Sequence, residues 1–500
     1  MRSTFAGFNT VVRGIYAQQA SLDTVGHNIA NAKTDGYSRQ NLNLSTTQPE
    51  VVYGGAAGKM QLGTGVTAQS VTRARDSFID SQMWKESSTL GYGQMTEDTL
   101  SRIEGIFKDT AETGMQAVMN KFWSAWQTLS TTASDYGTRT ALRQRGVEMV
   151  DTIQHFSQQL KDVVGDLNSV IEIKVNKTNQ INSEIVSLNK QIMAIEAGGK
   201  DNANDLRDRR DLLVDQLSKM MKIQVSEDQN GSYSIQSNGV PLVNASSYTE
   251  LAVRADQTSP LLTTYGTPAN EIIIKSTGEN VTLGKGEIQG MIDSRDDDTY
   301  GVKGYLDQLN TMSKFLLTDF NSVHRAGYGL DAGAPNNTGN NFFGADAGEI
   351  GTPANNNWIN ILKVSSALFA TTPVNGLSKI AAKEKATDGD GSGNWAVKMS
   401  EALKTTKFST LNNASLAGYY NSLVGAMGVQ SQSAKSLTKN QTVLVNQVDN
   451  WRMSVSGVNL DEEMTNMIRF QKGYNAAARV MTTMDEMLDK LINGTGTVGR

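Results

Sequence analysis

A chain of 500 residues is long enough for several domains. Its net charge of -5 and pI of about 5.5 disfavour a general binder of nucleic acids or anionic membranes, because both need excess positive charge. The absence of cysteine excludes disulfides, thiolate metal sites and a cysteine nucleophile. No apolar run reaches the length of a signal-peptide core or a membrane span, so secretion would not use a cleaved signal peptide.

The first helix is predicted over residues 3–32, where apolar residues recur at alternating spacings of three and four. Asp35-Gly36 then marks a turn, and a polar extended segment follows to about Pro49. Residues 50–75 are predicted to form a loop or hairpin. The apolar stripe of the first helix is called the N-terminal seam and comprises Phe5, Phe8, Val12, Ile15, Leu22 and Ile29.

Two long helical blocks are predicted, because proline, which breaks helix interiors, is absent between Pro49 and Pro241 and after Pro373. The longest helix covers about 138–197, and its roughly 60 residues would span about 90 Å at 1.5 Å per residue. The other helices of the middle region are expected from residue 76 onward, over about 206–220 and over about 287–325.

The hydrophobic period changes to two after residue 221, which indicates strands. Segments 222–225 and 232–236 flank Asn230-Gly231, a strong hairpin signal. The insert at 331–400 is rich in glycine and asparagine at its start and is interpreted as loops with a small β-rich part. Further strands are predicted at 250–254, 271–275, 281–283, 359–364 and 367–370.

The C-terminal block keeps the 3-4 spacing from Leu416 to Val458 and then changes phase at Ser456-Gly457. A new helix is predicted from Asn459, a suitable N-cap with Glu462 three residues later, to residue 493. Its apolar stripe, called the C-terminal seam, comprises Leu460, Met464, Met467, Tyr474, Ala478, Met481, Leu488 and Ile492.

Two seams at opposite ends of one chain suggest that the termini pair. Six apolar side chains bury too little surface to compensate for ordering about 30 residues, so this pair would order fully only beside neighbouring copies. The pattern therefore indicates assembly rather than catalysis.

The expected fold is mainly α with β-rich insertions (α+β), an elongated multi-domain rod whose terminal helices pair as a coiled coil. Residues 1–50 and 457–500 would form the terminal assembly domain. Residues 51–330 and 401–456 would form a long-helix bundle with a β-hairpin portion near 222–285. Residues 331–400 would form a small β-rich outer domain.

No catalytic, cofactor-binding or metal site is predicted. His27, His155 and His324 lie far apart in the sequence and are assigned structural roles. Residues 388–393 match the opening of a calcium loop, but its twelfth position is Met399 instead of the bidentate glutamate. The arginine clusters at 139–145 and 207–210 are interpreted as solvated helix faces.

The segment SLDTVGHNIANAKTDGYSRQ, residues 21–40, resembles the signature of bacterial flagellar axial proteins: rod, hook and hook-associated. Residues 456–481 are similar to the matching C-terminal signature. Ser38-Arg39, residues 202–219, and residues 306–331 followed by Phe342-Phe343 narrow the resemblance to the hook-associated branch. The motif residues are Asn28, Asn31, Thr34, Gly36, Tyr37, Ser38 and Arg39.

The resemblance implies a structural, extracellular protein of the flagellum that forms a ring at the junction between hook and filament. It implies export by the flagellar type III apparatus without a cleaved signal peptide, and a chaperone that holds the C-terminal region. The implied partners are other copies of the chain, the hook protein and the second junction protein (hook-associated protein 3), with no cofactor, nucleic acid or membrane insertion. Both seams would form the assembly interface, and the C-terminal seam would also contact the chaperone.

The sequence disfavours three other functions. One is another axial component, such as a hook or distal-rod protein; the long helix at 138–197 and the segment 202–219 disfavour it. The second is a wall hydrolase on a flagellar scaffold, which would need a compact catalytic site that the sequence does not suggest. The third is a coiled-coil adhesin or phage tail component, which the two terminal signatures disfavour.

Overall fold

The computed structural model describes residues 6–54, 58–108, 114–199, 201–331, 337–372 and 374–494. The fold is mostly helical with small antiparallel sheets. The chain divides into two compact units. The first contains residues 1–90, 177–250 and 441–500, and the second contains residues 91–176 and 251–440.

The helices follow the predicted 3-4 periodicity closely. The longest, predicted over 138–197, is α4, and the predicted break at Ser456-Gly457 separates α12 from α13. Asn459 caps α13 as predicted, because its side chain accepts hydrogen bonds from the backbone N–H of Asp461 and Glu462. The bounds of the long helices are α1 Ala6–Ala30, α2 Ser77–Phe107, α3 Met115–Thr131, α4 Tyr136–Glu196, α5 Asn204–Met220, α12 Leu416–Ser456 and α13 Leu460–Asn493.

The strands of the first unit form three small sheets. β1 pairs with β4, β2 pairs with β3, and β5, β6 and β7 form a three-stranded meander, all antiparallel. The hairpin predicted around Asn230-Gly231 is present between β5 and β6, and Gly231 takes the positive φ of 76° that its turn needs. The strand bounds are β1 Gln40–Thr46, β2 Glu50–Gly54, β3 Gly58–Leu62, β4 Val66–Arg73, β5 Gln224–Glu227, β6 Tyr233–Ser237 and β7 Val240–Val243.

The second unit contains the β8–β9 pair and most of the shorter helices. Helix α8 continues through a π-helical turn, Leu316–Phe320, into α9. The element bounds are β8 Leu251–Ala255, α6 Pro260–Thr263, β9 Asn270–Ile274, α7 Glu287–Asp296, α8 Val302–Phe315, α9 Asn321–Ala326, α10 Trp358–Ile361 and α11 Asn394–Lys404.

An aromatic cluster forms the core of the second unit. Phe122 and Trp126 of α3 pack against Phe320 and the Phe342-Phe343 pair, with ring centroids 4.9 to 6.3 Å apart. All five rings are fully buried. Such pairs stabilise a core by both area burial and edge-to-face contact.

Three predicted strands are wrong. Residues 281–283 form no strand, although Asn280 beside them forms an isolated bridge with Ile273. Segment 359–364 overlaps the short helix α10, and 367–370 overlaps a 3-10 turn, Ser366–Phe369. A short apolar run does not distinguish a strand from a buried helical turn, and here the helical turns bury Ile359 and Leu368.

The prediction of one continuous helix over about 287–325 is also wrong. It is interrupted between α7 and α8, where the side chain of Asp297 accepts hydrogen bonds from the backbone N–H of Thr299 and Tyr300. Aspartate side chains that bind the following backbone compete with helix in this way. The acidic run at 296–298, which the sequence predicts to be a solvated loop or a helix start, lies at this break.

Candidate assembly interface

The described N-terminal seam lies partly exposed on α1. The most buried residues of this helix are Ala17, Ser21, Val25 and Asn28, which also recur at spacings of three and four. The five seam residues that the structure describes, Phe8, Val12, Ile15, Leu22 and Ile29, are each half-buried, and Phe5 lies outside the described residues. The stripe richest in large apolar side chains is therefore not the most buried face of α1.

Helices α1 and α13 lie against each other along their length. A Cβ placed at Gly7 would lie 2.9 Å from Met484 Cε, and one at Gly473 would lie 2.9 Å from Gln18 Oε1. At these two points the tip of a side chain on one helix lies beside a glycine of the other helix. Glu463, in the first turn of α13, is the one residue of α13 that is fully buried within the described chain.

The C-terminal seam divides into two groups. Its half-buried members are Met467, Ala478, Met481 and Leu488. Its exposed members are Leu460, Met464, Tyr474 and Ile492, whose exposed fractions range from 37% for Tyr474 to 67% for Ile492. The exposed group remains available for contacts outside the chain.

Four further exposed apolar residues of α13 were missed by the sequence reasoning: Ile468, Val480, Met487 and Leu491. They lie off the single stripe used for the prediction. Three of them follow a second spacing on the same helix that could have located them, because 480, 487 and 491 repeat at intervals of seven and four. A helix with apolar residues on more than one face can contact more than one neighbouring helix.

Asn28, in the last turn of α1, is the centre of the motif. Its amide Nδ2 donates to Gln40 O at 2.9 Å, and its Oδ1 accepts from Gln40 N at 2.9 Å and from the Tyr37 hydroxyl at 2.7 Å. Nδ2 also donates to Glu463 Oε2 at 3.3 Å. Because Asn28 is almost fully buried, each of these bonds satisfies a polar group that water does not reach.

The rest of the turn is shaped by Gly36 and Tyr37. Gly36 has a φ of 80°, and a Cβ there would lie 3.0 Å from the Cβ of Leu212 on α5. Burial, reinforced by Asp205 and Asp208, raises the pKa of Tyr37, so its hydroxyl stays protonated and donates. Of the remaining motif residues, Asn31 caps the end of α1 by donating to His27 O, and Thr34 is exposed and donates to Asn31 Oδ1.

Ser38 and Arg39 connect this turn to two other parts of the unit. The backbone N–H of Ser38 donates to Asp208 Oδ2 of α5 at 3.0 Å. The guanidinium of Arg39 donates to both carboxylate oxygens of Glu462, at 2.8 and 3.2 Å, and its Nε lies 2.8 Å from Glu463 Oε1. The motif therefore binds α5 on one side and the start of α13 on the other.

Behind this turn lies a buried ionic cluster. Asp208 and Asp211 of α5 both accept from Arg73, at 2.8 and 2.7 Å, and Arg75 lies 3.3 Å from Asp211 and 2.7 Å from Asp80. Burial raises the pKa of Asp208. Burial acts in the same direction on Asp211, but Arg75 and Arg73 outweigh it and lower its pKa, so this carboxylate is ionised.

The interpretation of the two arginine clusters as solvated faces is wrong for one member of each, Arg139 and Arg210. Arg210 is fully buried, donates to Asn189 Oδ1 and Gly231 O, and stacks over the Tyr233 ring at 3.4 Å. Arg139, also fully buried, donates to the carbonyl groups of Ala133, Leu377 and Ile380. An alternating charge pattern does not reveal burial when backbone carbonyls outside the pattern accept the donors.

The histidines have different surroundings. His155 is exposed on α4, and His27 lies 3.3 Å from Asp205 and edge-on to the Tyr37 ring. His324 is buried in the second unit between Asn340 O and Ala381 N. Within the described ranges, no three His, Asp or Glu side chains are grouped so that they could share a metal ion. None of the helices in the described part of the chain has the length and apolarity that crossing a membrane requires.

Family models match two parts of the chain. Residues 100–343 match the model described as "Flagellar hook-associated protein FlgK helical domain". Residues 452–494 match "Flagellar basal body rod FlgEFG protein C-terminal". The second match covers the end of α12 and all of α13.

The chain is also similar to curated proteins over its whole length. It is 34% identical to flagellar hook-associated protein 1 of Bacillus subtilis, with 100% of both chains covered. It is 28% identical to the protein of the same name from Escherichia coli, with 97% of this chain and 99% of the other covered. The structure of the flagellar hook junction protein FlgK from Burkholderia pseudomallei has the same fold, with a TM-score of 0.58 and 15% identity over 76% of this chain and 100% of the other.

Proposed function

The chain belongs to the family of flagellar hook-associated protein 1, structural proteins of the flagellum at the hook–filament junction, and from that premise we propose that its copies form the junction ring themselves. In this proposal, α1 and α13 pair as a coiled coil and supply the contacts between neighbouring subunits. No described feature of the chain favours a catalytic role.

The observation that carries the proposal is the division of the C-terminal seam. Part of α13 faces α1, while four members of the C-terminal seam and four apolar residues outside it are exposed. The exposed seam residues are Leu460, Met464, Tyr474 and Ile492, and the others are Ile468, Val480, Met487 and Leu491. Exposed apolar surface of this extent on one helix is typical of an interaction surface. A neighbouring copy that covers it would add the burial that the terminal helices lack in the single chain.

In this proposal the chain is organised into three domains. Residues 1–50 and 457–500 would be the assembly domain, 51–330 and 401–456 the long-helix bundle, and 331–400 a small outer domain. The breaks after α1 and between α12 and α13 support the first of these boundaries.

The proposed partners are copies of the chain, the hook protein and the second junction protein, hook-associated protein 3. Export would proceed through the flagellar type III apparatus to the outside of the cell, with a chaperone on the C-terminal seam until assembly. The absence of cysteine suits such a route, because a chain that travels unfolded carries no thiol to cross-link.

Co-sedimentation with isolated flagellar hooks tests the proposal. We expect the intact chain to bind hooks to saturation at one ring per hook, and a chain lacking residues 1–45 and 460–500 not to bind. Absence of binding by both chains would indicate another axial position. Equal binding by both would show that the contacts lie outside the terminal helices.

A matched pair of point variants makes the test sharper. Met464→Asp places a charge on the exposed part of the C-terminal seam. The control, Ile173→Asp, places a charge at an exposed apolar position of another helix, α4. We expect Met464→Asp to abolish hook binding without loss of helix content, because burial of an unpaired carboxylate at an interface is costly. Ile173→Asp should bind as the unaltered chain does; the reverse pattern would contradict the assignment of the interface to α13.

A further inference from the structure

Two interruptions of helical structure meet in the first unit. One is the turn that follows α1, and the other is the break between α12 and α13. The backbone N–H of Arg39, in the first, donates to the carbonyl of Ser456, in the second, at 2.8 Å. The points where the two terminal helices join the rest of the unit are therefore in direct contact.

Arg39 joins these two points with its side chain as well. Its guanidinium contacts Glu462 and Glu463, both in the first turn of α13. Glu463 is almost completely buried and also accepts from Asn28 of α1, while Glu462 is half exposed. A planar guanidinium has fixed donor directions, so the two hydrogen bonds to Glu462 define an orientation as well as a distance, while the contact with Glu463 is an ion pair.

The same turn is bound to α5 on its other side. Ser38 N donates to Asp208, which is held by Arg73, and the Ser38 hydroxyl accepts from Arg75 at 3.3 Å. Burial opposes the charge on Arg75, but Asp211 and Asp80 outweigh it and raise its pKa, so the guanidinium keeps its charge. The cluster draws its partners from β4, α2 and α5, so a displacement of any one element would leave a buried charge without a partner.

Buried ion pairs contribute little net stability, because desolvation offsets most of the attraction. Their geometric demands are nevertheless strict, and a network of this kind favours one arrangement over rotated alternatives. We propose that Arg39 is a positioning residue that, with Glu462 and Glu463, fixes the direction in which α13 leaves the end of α12, and thereby the orientation of α13 relative to α5. Its consequence for ring closure rests on the proposed function, but the positioning role itself is a property of the single chain.

Distance measurement between two spin labels tests the positioning role directly. The chain has no cysteine, so Gln216→Cys on α5 and Lys472→Cys on α13, both exposed positions, can be labelled without background. Labelled chains diluted with unlabelled chain report only intramolecular distances. We expect one narrow distribution in the otherwise unaltered chain and a distribution broadened by about twofold or more with Arg39→Ala, because α13 loses its charged anchor.

Four further variants provide the controls for this experiment. Arg39→Lys retains the positive charge but loses the paired N–H donors of the guanidinium, so it should broaden the distance distribution less than Arg39→Ala does. Arg209→Ala removes an arginine of α5 whose ion pair with Glu184 involves neither the turn nor α13, and it should leave the distribution narrow. If Arg39→Ala lowers helix content, Glu462→Gln and Glu463→Gln test the same anchor from the other side. An unchanged width with Arg39→Ala, or equal broadening with Arg209→Ala, would overturn the proposal.

Hook co-sedimentation of the same variants separates this inference from the proposed function. Broadening with Arg39→Ala together with weakened hook binding supports both. Broadening with normal hook binding upholds the positioning role and contradicts assembly through the terminal helices. An unchanged width with weakened binding overturns the positioning role and leaves Arg39 as a contact to a neighbouring subunit.

Discussion

Protonation of His324 should destabilise the second unit. The ring is buried, its Nδ1–H donates to Asn340 O at 2.7 Å, and its Nε2 accepts from Ala381 N at 3.0 Å. A proton on Nε2 would face the Ala381 N–H and lie near the positive charges of Arg139 and Arg325. Burial, with a smaller effect from these two arginines, lowers the pKa of His324 from its ordinary 6.5 to about 4.

The size and sign of the effect follow from linkage. The unfolded chain takes up a proton at this side chain as the pH falls through about 6.5, whereas the folded chain does so only near pH 4. The unfolded state binds more protons within that window, so the free energy of unfolding falls as the pH falls from about 6.5 to about 4. A difference of about 2.5 pKa units corresponds to about 3 kcal/mol lost at pH 4.

Two measurements check this prediction. Nuclear magnetic resonance of chains with labelled histidine rings should give a native titration midpoint near 4 for His324, with His27→Gln and His155→Gln assigning the other two resonances. Urea unfolding, followed by near-ultraviolet circular dichroism, should show that His324→Asn removes about 3 kcal/mol of the pH dependence between pH 7 and 4. The Trp126 ring lies 6.1 Å from His324 and reports on this site.

A titration midpoint near 6.5 for His324 in the native state would refute this prediction. Parallel pH dependences of the unaltered chain and His324→Asn would refute it equally, because carboxylates common to both chains would then account for the whole slope.

Three further predictions concern stability. Gly36→Ala should cost about 2 kcal/mol or more, because a φ of 80° is unfavourable for alanine and its Cβ would lie 3.0 Å from that of Leu212; Gly26→Ala, where a Cβ meets open space, is the control in the same urea titration. Trp126→Ala should cost about 3 to 5 kcal/mol through the cavity it leaves, measured by thermal unfolding, and a loss below about 1 kcal/mol would contradict the assigned core. Asp211→Asn should cost about 3 kcal/mol because two buried arginines lose a shared anion, and a stability gain in urea would show that desolvation dominates instead.

The sequence by itself determined most of the local structure. The 3-4 spacing located α4, α12 and α13, Asn459 fixed the start of α13, and Asn230-Gly231 fixed one hairpin. These signals work because each depends on residues within about one or two turns of the chain. The terminal signatures likewise identified the family, since the comparisons with known proteins agree with the resemblance.

The tertiary structure decided which face of each helix is buried. On α1 the buried face carries Ala17, Ser21, Val25 and Asn28 rather than the seam of large apolar residues, and on α13 half of the seam is exposed. Periodicity shows that a stripe exists, but the depth of burial depends on the partner, and two stripes on one helix leave the choice open.

Long-range polar contacts were also beyond the reach of the sequence. Arg39 meets Glu462 and Glu463 across more than four hundred residues, and Arg210 is buried although its neighbours in sequence alternate in charge. The motif residues Asn28, Ser38 and Arg39 could be named from their resemblance to a family, but their partners could not. A local pattern carries no information about which distant carboxylate or carbonyl will accept a donor, because only the folded chain brings the two together.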